Sequence, residues 1–126
     1  MITTSPMNFQ MNISSFSFKL GAKGGDMMQT FSIKNELVDT NKKGTRVFAN
    51  EDVHILNVQM RAGESIPTHN APGTVIVTVR SGTVLFNVEG VDTKLTTDDV
   101  LVMEPLENHS LTAVTDVDII VTKLQK

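Results

Sequence analysis

The chain has 126 residues, 40% of them hydrophobic, which supports one core of ordinary size and is too little for two independent domains. Its 11 basic and 14 acidic residues leave a formal charge of −3 and are scattered without blocks, so no electrostatic footprint marks nucleic acid or an anionic membrane surface as a partner. The absence of cysteine excludes disulfides, thiolate metal sites and cysteine nucleophiles, and six Phe without Trp or Tyr make a poor stacking platform for single strands or sugars.

In chain order, residues 1–30 read as an extension. Its first six residues are small and polar, and the stretch GAKGG at 21–25 is a flexible break. Between them Phe16, Phe18 and Leu20 alternate with Ser15, Ser17 and Lys19, the period of a half-buried strand over 13–20 that could add to a sheet edge or exchange with a second copy. No apolar run nears the ~18 residues that cross a bilayer, and no basic start precedes an apolar stretch, so the expectation is a soluble, cytoplasmic protein.

From residue 31 to 126 short apolar runs are divided by turn signals about every ten residues. The predicted strands cover 46–49, 53–60, 66–69, 74–79, 84–88, 93–95, 100–103, 110–114 and 118–124. The dividers, among them Ala62–Gly63, Ser81–Gly82 and Glu89–Gly90, are rich in residues that tolerate tight or left-handed turns. So many short strands in one small chain leave exposed edges unless the sheet closes. The expected fold is therefore all-β, a single small antiparallel barrel or jelly roll.

Two stretches carry a family resemblance. Gly63, five residues, His69, and later Gly82 resemble the first motif of the cupin superfamily, a glycine, five residues, His-x-His, a glutamate and a later glycine. The stretch from Asp98 to His109 resembles the second motif, a glycine, five residues, Pro-x-Gly, two residues and a histidine. There His109 agrees, while Asp98, Glu104 and Leu106 stand at the two glycines and the proline. The spacing between Gly82 and Asp98 is that of compact bacterial cupins. The resemblance implies a small single-domain, RmlC-like barrel, also described as a double-stranded β-helix.

In metal-binding cupins three histidines and a glutamate hold one divalent cation, a donor set that suits iron, manganese, nickel, zinc or copper. Here Ala71 falls at the second histidine position and Val75 or Ile76 at the glutamate, so two of four ligands remain. A hairpin turning at Ala62 and Gly63 would pair strand 53–60 with 66–71 and set His54 near Ala71. His54 would then join His69 and His109 as a third imidazole. The resemblance also places His69 and His109 in a pocket walled by Val75, Val77, Phe86 and Met103.

Other polar residues read more plainly. Asn57 and Gln59 fall on the outward face of their strand, Glu104 and Glu107 on a solvated loop, and Met60 and Met103 in the core. No glycine-rich phosphate loop, Ser-His-Asp order or inward pair of carboxylates marks a reaction. The functional expectation is a small molecule bound in the barrel interior with a divalent metal at a reduced histidine site. The alternative is a metal-free binding or sensing module without catalysis. A homodimer is the expected assembly, since cupins commonly pair by strand exchange.

Overall fold

The computed structural model describes residues 11–12 and 28–125, and the strand expected over 13–20 lies outside them. Ten strands follow in order: β1 (Met11–Asn12), β2 (Lys42–Ala49), β3 (Val53–Met60), β4 (Ser65–His69), β5 (Val75–Ser81), β6 (Val84–Val88), β7 (Val91–Leu95), β8 (Val100–Met103), β9 (His109–Ala113) and β10 (Val117–Leu124). Every strand read from the sequence between 46 and 124 is present, three with the expected bounds, one shifted by a residue and the others longer, and no helix occurs among the described residues.

The strands form two sheets, one in the order β1-β2-β3-β10-β5-β8 and the other β4-β9-β6-β7. Apart from the short parallel pairing of β1 with β2, every pair is antiparallel. Alternation sets the core. Along β10, Val117, Ile119, Val121 and Lys123 are buried, while the residues between them are half-exposed. Leu56, Val58 and Met60 of β3 lie opposite Val121, Ile119 and Val117 on the same inner face. Val77, Phe86 and Leu111 reach the same core from β5, β6 and β9. Full burial of side chains of this size contributes about 1.5–3 kcal/mol each, so the core carries most of the folding energy.

The expected hairpin between strand 53–60 and residues 66–71 does not form. Strand β3 pairs with β2 and β10, and β4 pairs with β9 in the other sheet. The turn after Met60 is the reason. Gly63 N donates to Ala113 O at 2.9 Å and Ala113 N to Glu64 O at 2.8 Å, so the chain leaves the turn already bonded to β9. Alternation determines which face a side chain takes, whereas the turn determines which strand lies beside it.

Asn57 and Gln59 do point outward, yet they are buried, at 1% and 3% exposure. The segment 28–41, which contains no strand, lies over them. Gln59 Nε2 donates to Lys34 O at 2.8 Å, and Glu36 N donates to Gln59 Oε1 at 2.9 Å. Asn57 Nδ2 in turn donates to Asp118 Oδ1 and to Ile119 O. Leu37 is buried, and Phe31 packs on Phe48 with ring centroids 5.7 Å apart. Each amide thus has the partner that burial requires. Burial raises the Asp118 pKa, against the pull of its bonds to Asn57 and Arg80.

Leu106 is an exposed residue with φ of 68°. It is the third residue of the turn Glu104-Pro105-Leu106-Glu107, in which Glu107 N donates to Glu104 O at 3.3 Å. Proline second and a left-handed residue third is the pattern of a type II turn, which favours glycine at the third position. The cupin motif has a glycine at this same place. Leu106→Gly therefore relieves left-handed strain of about 1 kcal/mol, partly offset by the freer unfolded chain, and is expected to raise the melting temperature by about 2–4 °C.

Candidate functional site in the barrel lumen

The strand pair β4–β9 brings the two motif histidines together. His69 and His109 are direct Cα partners, 6% and 5% exposed, with ring centroids 4.2 Å apart and planes at 62°. The loops beside them are tied by Asn70 Nδ2 donating to Asn108 Oδ1 at 3.0 Å and Leu106 N donating to Ala71 O at 2.8 Å.

Each imidazole is oriented by the carbonyl two residues before it. His69 Nδ1 lies 2.9 Å from Pro67 O and His109 Nδ1 lies 3.0 Å from Glu107 O. A carbonyl oxygen only accepts, so Nδ1 carries the hydrogen in both rings and the neutral ring keeps a bare Nε2. His69 Nε2 is buried with no partner among the described residues. The His69 pKa is lowered to about 4, chiefly by burial, with the charges of His109 and Lys123 adding to that and the Pro67 bond opposing it. Burial and Lys123 likewise lower that of His109, opposed by Glu107.

The lowered His69 pKa sets a pH dependence. Unfolded, the ring takes a proton near pH 6.5; folded, only near 4. Between those values the unfolded chain binds the extra proton, so stability is full above 6.5 and falls as pH drops toward 4. A loss of about 2 kcal/mol is expected between pH 7 and pH 4, beyond whatever a His69→Gln protein loses. Urea unfolding of both proteins across that range measures it.

All six residues read from the sequence as the pocket, His69, His109, Val75, Val77, Phe86 and Met103, line one cavity between the two sheets. The space measures about 10 Å³, room for about one water. Phe86 lies 6.5 Å from the His109 ring, centroid to centroid. The wall is otherwise apolar, with one exception. Lys123 also lines it, 3% exposed, its Nζ buried and without a partner among the described residues. Burial lowers its pKa from 10.5 to about 8. Sequence reasoning missed this lysine because lysine usually lies on the surface. The signal was in the alternation, which puts Lys123 on one face with Val117, Ile119 and Val121.

His54 does not complete a metal site. It lies opposite Lys123 across β3 and β10, and opposite Ala49 of β2, rather than beside Ala71. It is half-buried and outside the cavity wall. The hairpin that would have brought it to the motif histidines is absent. Among the described residues no three His, Cys, Asp or Glu side chains come together as a metal requires. Ala71 and Val75, buried at two motif ligand positions, offer no donor atom, and an ammonium shares the lumen with the two imidazoles. Two neutral donors beside a cation are a poor set for a divalent ion, so these residues do not fit the family's usual metal. Glu107 cannot make up the set. Its Oε1 accepts from Glu104 N at 2.8 Å on the outer loop, and Glu104 is exposed.

The two-sheet barrel has its counterpart in known proteins. A family model described as a cupin domain matches residues 56–122, more than half the chain. The chain belongs to the cupin family. No curated protein sequence matches this cupin. A cupin superfamily protein from Desulfitobacterium hafniense superposes with a TM-score of 0.68 at 15% identity, over 73% of this chain and 84% of that one. An RmlC-like cupin from Desulfovibrio desulfuricans gives 0.63 at 22% identity, over 75% and 97%. A salicylate 1,2-dioxygenase from Pseudoaminobacter salicylatoxidans gives 0.61 at 23% identity, over 68% of this chain and 27% of that one. Likeness at these identities establishes the shared barrel alone.

Proposed function

We propose that this cupin is a metal-free binding module. Its lumen takes a molecule of very few heavy atoms whose polar group sits among His69, His109 and Lys123. The observation that carries this reading is a pair of buried polar atoms, His69 Nε2 and Lys123 Nζ, on residues that line a mostly apolar cavity and without a partner among the described residues. Leaving such groups unpaired costs about 1–3 kcal/mol each, which a ligand carrying both a donor and an acceptor offsets. Val75, Val77, Phe86 and Met103 then supply apolar contact. The metal-bearing alternative has less support, because its third imidazole and its carboxylate are both missing from the lumen.

Thermal unfolding with added compounds tests this. Small hydroxy and carboxylic compounds are expected to raise the melting temperature of the parent, by the equivalent of about 2–3 kcal/mol at a hundredfold excess over Kd, and not that of Lys123→Met. Divalent iron, manganese, nickel, zinc and copper are expected to leave it unchanged. A metal-dependent rise in the parent, abolished in His69→Ala and His109→Ala, would sink the metal-free reading.

A further inference from the structure

Lysine side chains usually lay their stems along apolar surface and keep the ammonium in water. Lys123 does the reverse. It lies near the end of β10, yet it turns into the cavity that the two imidazoles also line, and its Nζ is enclosed with no carboxylate, carbonyl or hydroxyl of the described residues bonded to it. The cavity wall contains no acidic side chain. Among the described residues nothing in the lumen holds the charged form in place, and the other side chains that line the cavity are apolar or imidazole.

Building on the lumen as a binding site, we propose that Lys123 is a nucleophile that captures a small aldehyde as an imine on Nζ. The desolvation that lowers its pKa to about 8 leaves a far larger neutral fraction near pH 7 than an exposed lysine has. The Nζ lone pair attacks the carbonyl carbon and the C–N bond forms as the C=O π pair moves to oxygen. Nζ passes one of its two protons, through the bare Nε2 of His69, to that oxygen, which gives the neutral carbinolamine. The second proton follows the same route to the hydroxyl, which leaves as water while the nitrogen lone pair closes the C=N bond. Nothing is oxidised or reduced. With room for about one water, the cavity restricts the aldehyde to the smallest ones, such as formaldehyde and acetaldehyde, and an apolar wall favours an uncharged group.

The test is reductive trapping on the full chain at pH 7 with limiting acetaldehyde and cyanoborohydride, which delivers hydride to the imine carbon and leaves an ethyl group on nitrogen. Peptide mapping over time reads each lysine. Lys123 is expected to be labelled at least ~10-fold faster than exposed lysines such as Lys94. Labelling of Lys123 no faster than Lys94 overturns the proposal. In Lys123→Met, which keeps the apolar packing, the fast-labelled peptide is expected to vanish, and its persistence at another lysine also overturns it. Methyl NMR of the same samples separates the two readings. Shifts of the Val77 and Val121 methyls without an adduct remove the imine and leave the binding module, whereas neither shift nor adduct removes both.

Discussion

Lys123→Met is expected to stabilise the protein by about 2 kcal/mol at pH 7, raising the melting temperature by about 6–10 °C. Most substitutions in a core weaken a protein. This one removes the ammonium of a residue that is 3% exposed and has no bonded partner for its Nζ among the described residues, and puts an unbranched apolar chain of similar length in its place. The folded pKa of about 8 against 10.5 unfolded means that the native state holds this proton less tightly than the unfolded chain does. Each tenfold loss of proton affinity corresponds to about 1.4 kcal/mol, so the cost approaches about 3 kcal/mol, and about 2 is the part that survives solvent reaching the barrel mouth.

The lowered pKa also sets how the difference depends on pH. Below pH 8 both states carry the proton and the native state bears the whole penalty. As pH rises from 8 to 10.5 the folded lysine is neutral while the unfolded one is still charged, so the parent gains stability relative to Lys123→Met. Above 10.5 the two proteins converge. Urea unfolding at pH 7 and at pH 10 measures this. A variant less stable than the parent at pH 7 would mean that Lys123 already has a strong partner in the folded protein, and the unpaired amine would have to be given up.

Particular residues show how far the fold and the site were legible in the sequence. Val84, Phe86 and Val88 alternate with polar or half-exposed neighbours, and that period alone locates β6. The offsets of Gly63, His69, Gly82 and His109 identify the barrel, since turns and facing strands hold those positions in fixed relation. Partner choice was less visible. His54 has the inward phase that alternation assigns it, but its neighbour depends on hydrogen bonds of the 61–64 turn, which periodicity does not encode. Asn57 and Gln59 show a related limit. Their outward phase is right, but outward means solvent only if nothing covers the sheet, and residues 33–37 do. Lys123 reverses the case, with a correct inward phase that its residue type argues against.

Gly82→Ala is expected to cost at least about 3 kcal/mol, against about 1 kcal/mol for Gly63→Ala. Both glycines have φ near 90° and sit where the cupin motif requires one, so alanine meets similar left-handed strain at each. Their surroundings differ. A Cβ on Gly63 meets open space, whereas one on Gly82 collides with the carbonyl oxygen of Asp116 and lies 2.9 Å from Thr115 Oγ1. That contact is backbone against backbone, between the β5–β6 turn and the β9–β10 turn, and neither side can rotate away. The turns are bonded there as well: Thr83 N donates to Thr115 Oγ1 at 3.0 Å and Val114 N to Thr83 O at 3.0 Å. Making room for a methyl group must stretch these bonds and shift β10, the strand between β3 and β5 that carries Val117, Ile119, Val121 and Lys123 into the lumen. Urea unfolding of the two variants separates strain from contact. Equal losses would place the whole requirement for glycine in φ and show that the two turns do not touch, while the expected excess at Gly82 makes this close approach the pin that holds the lumen's central strand in place.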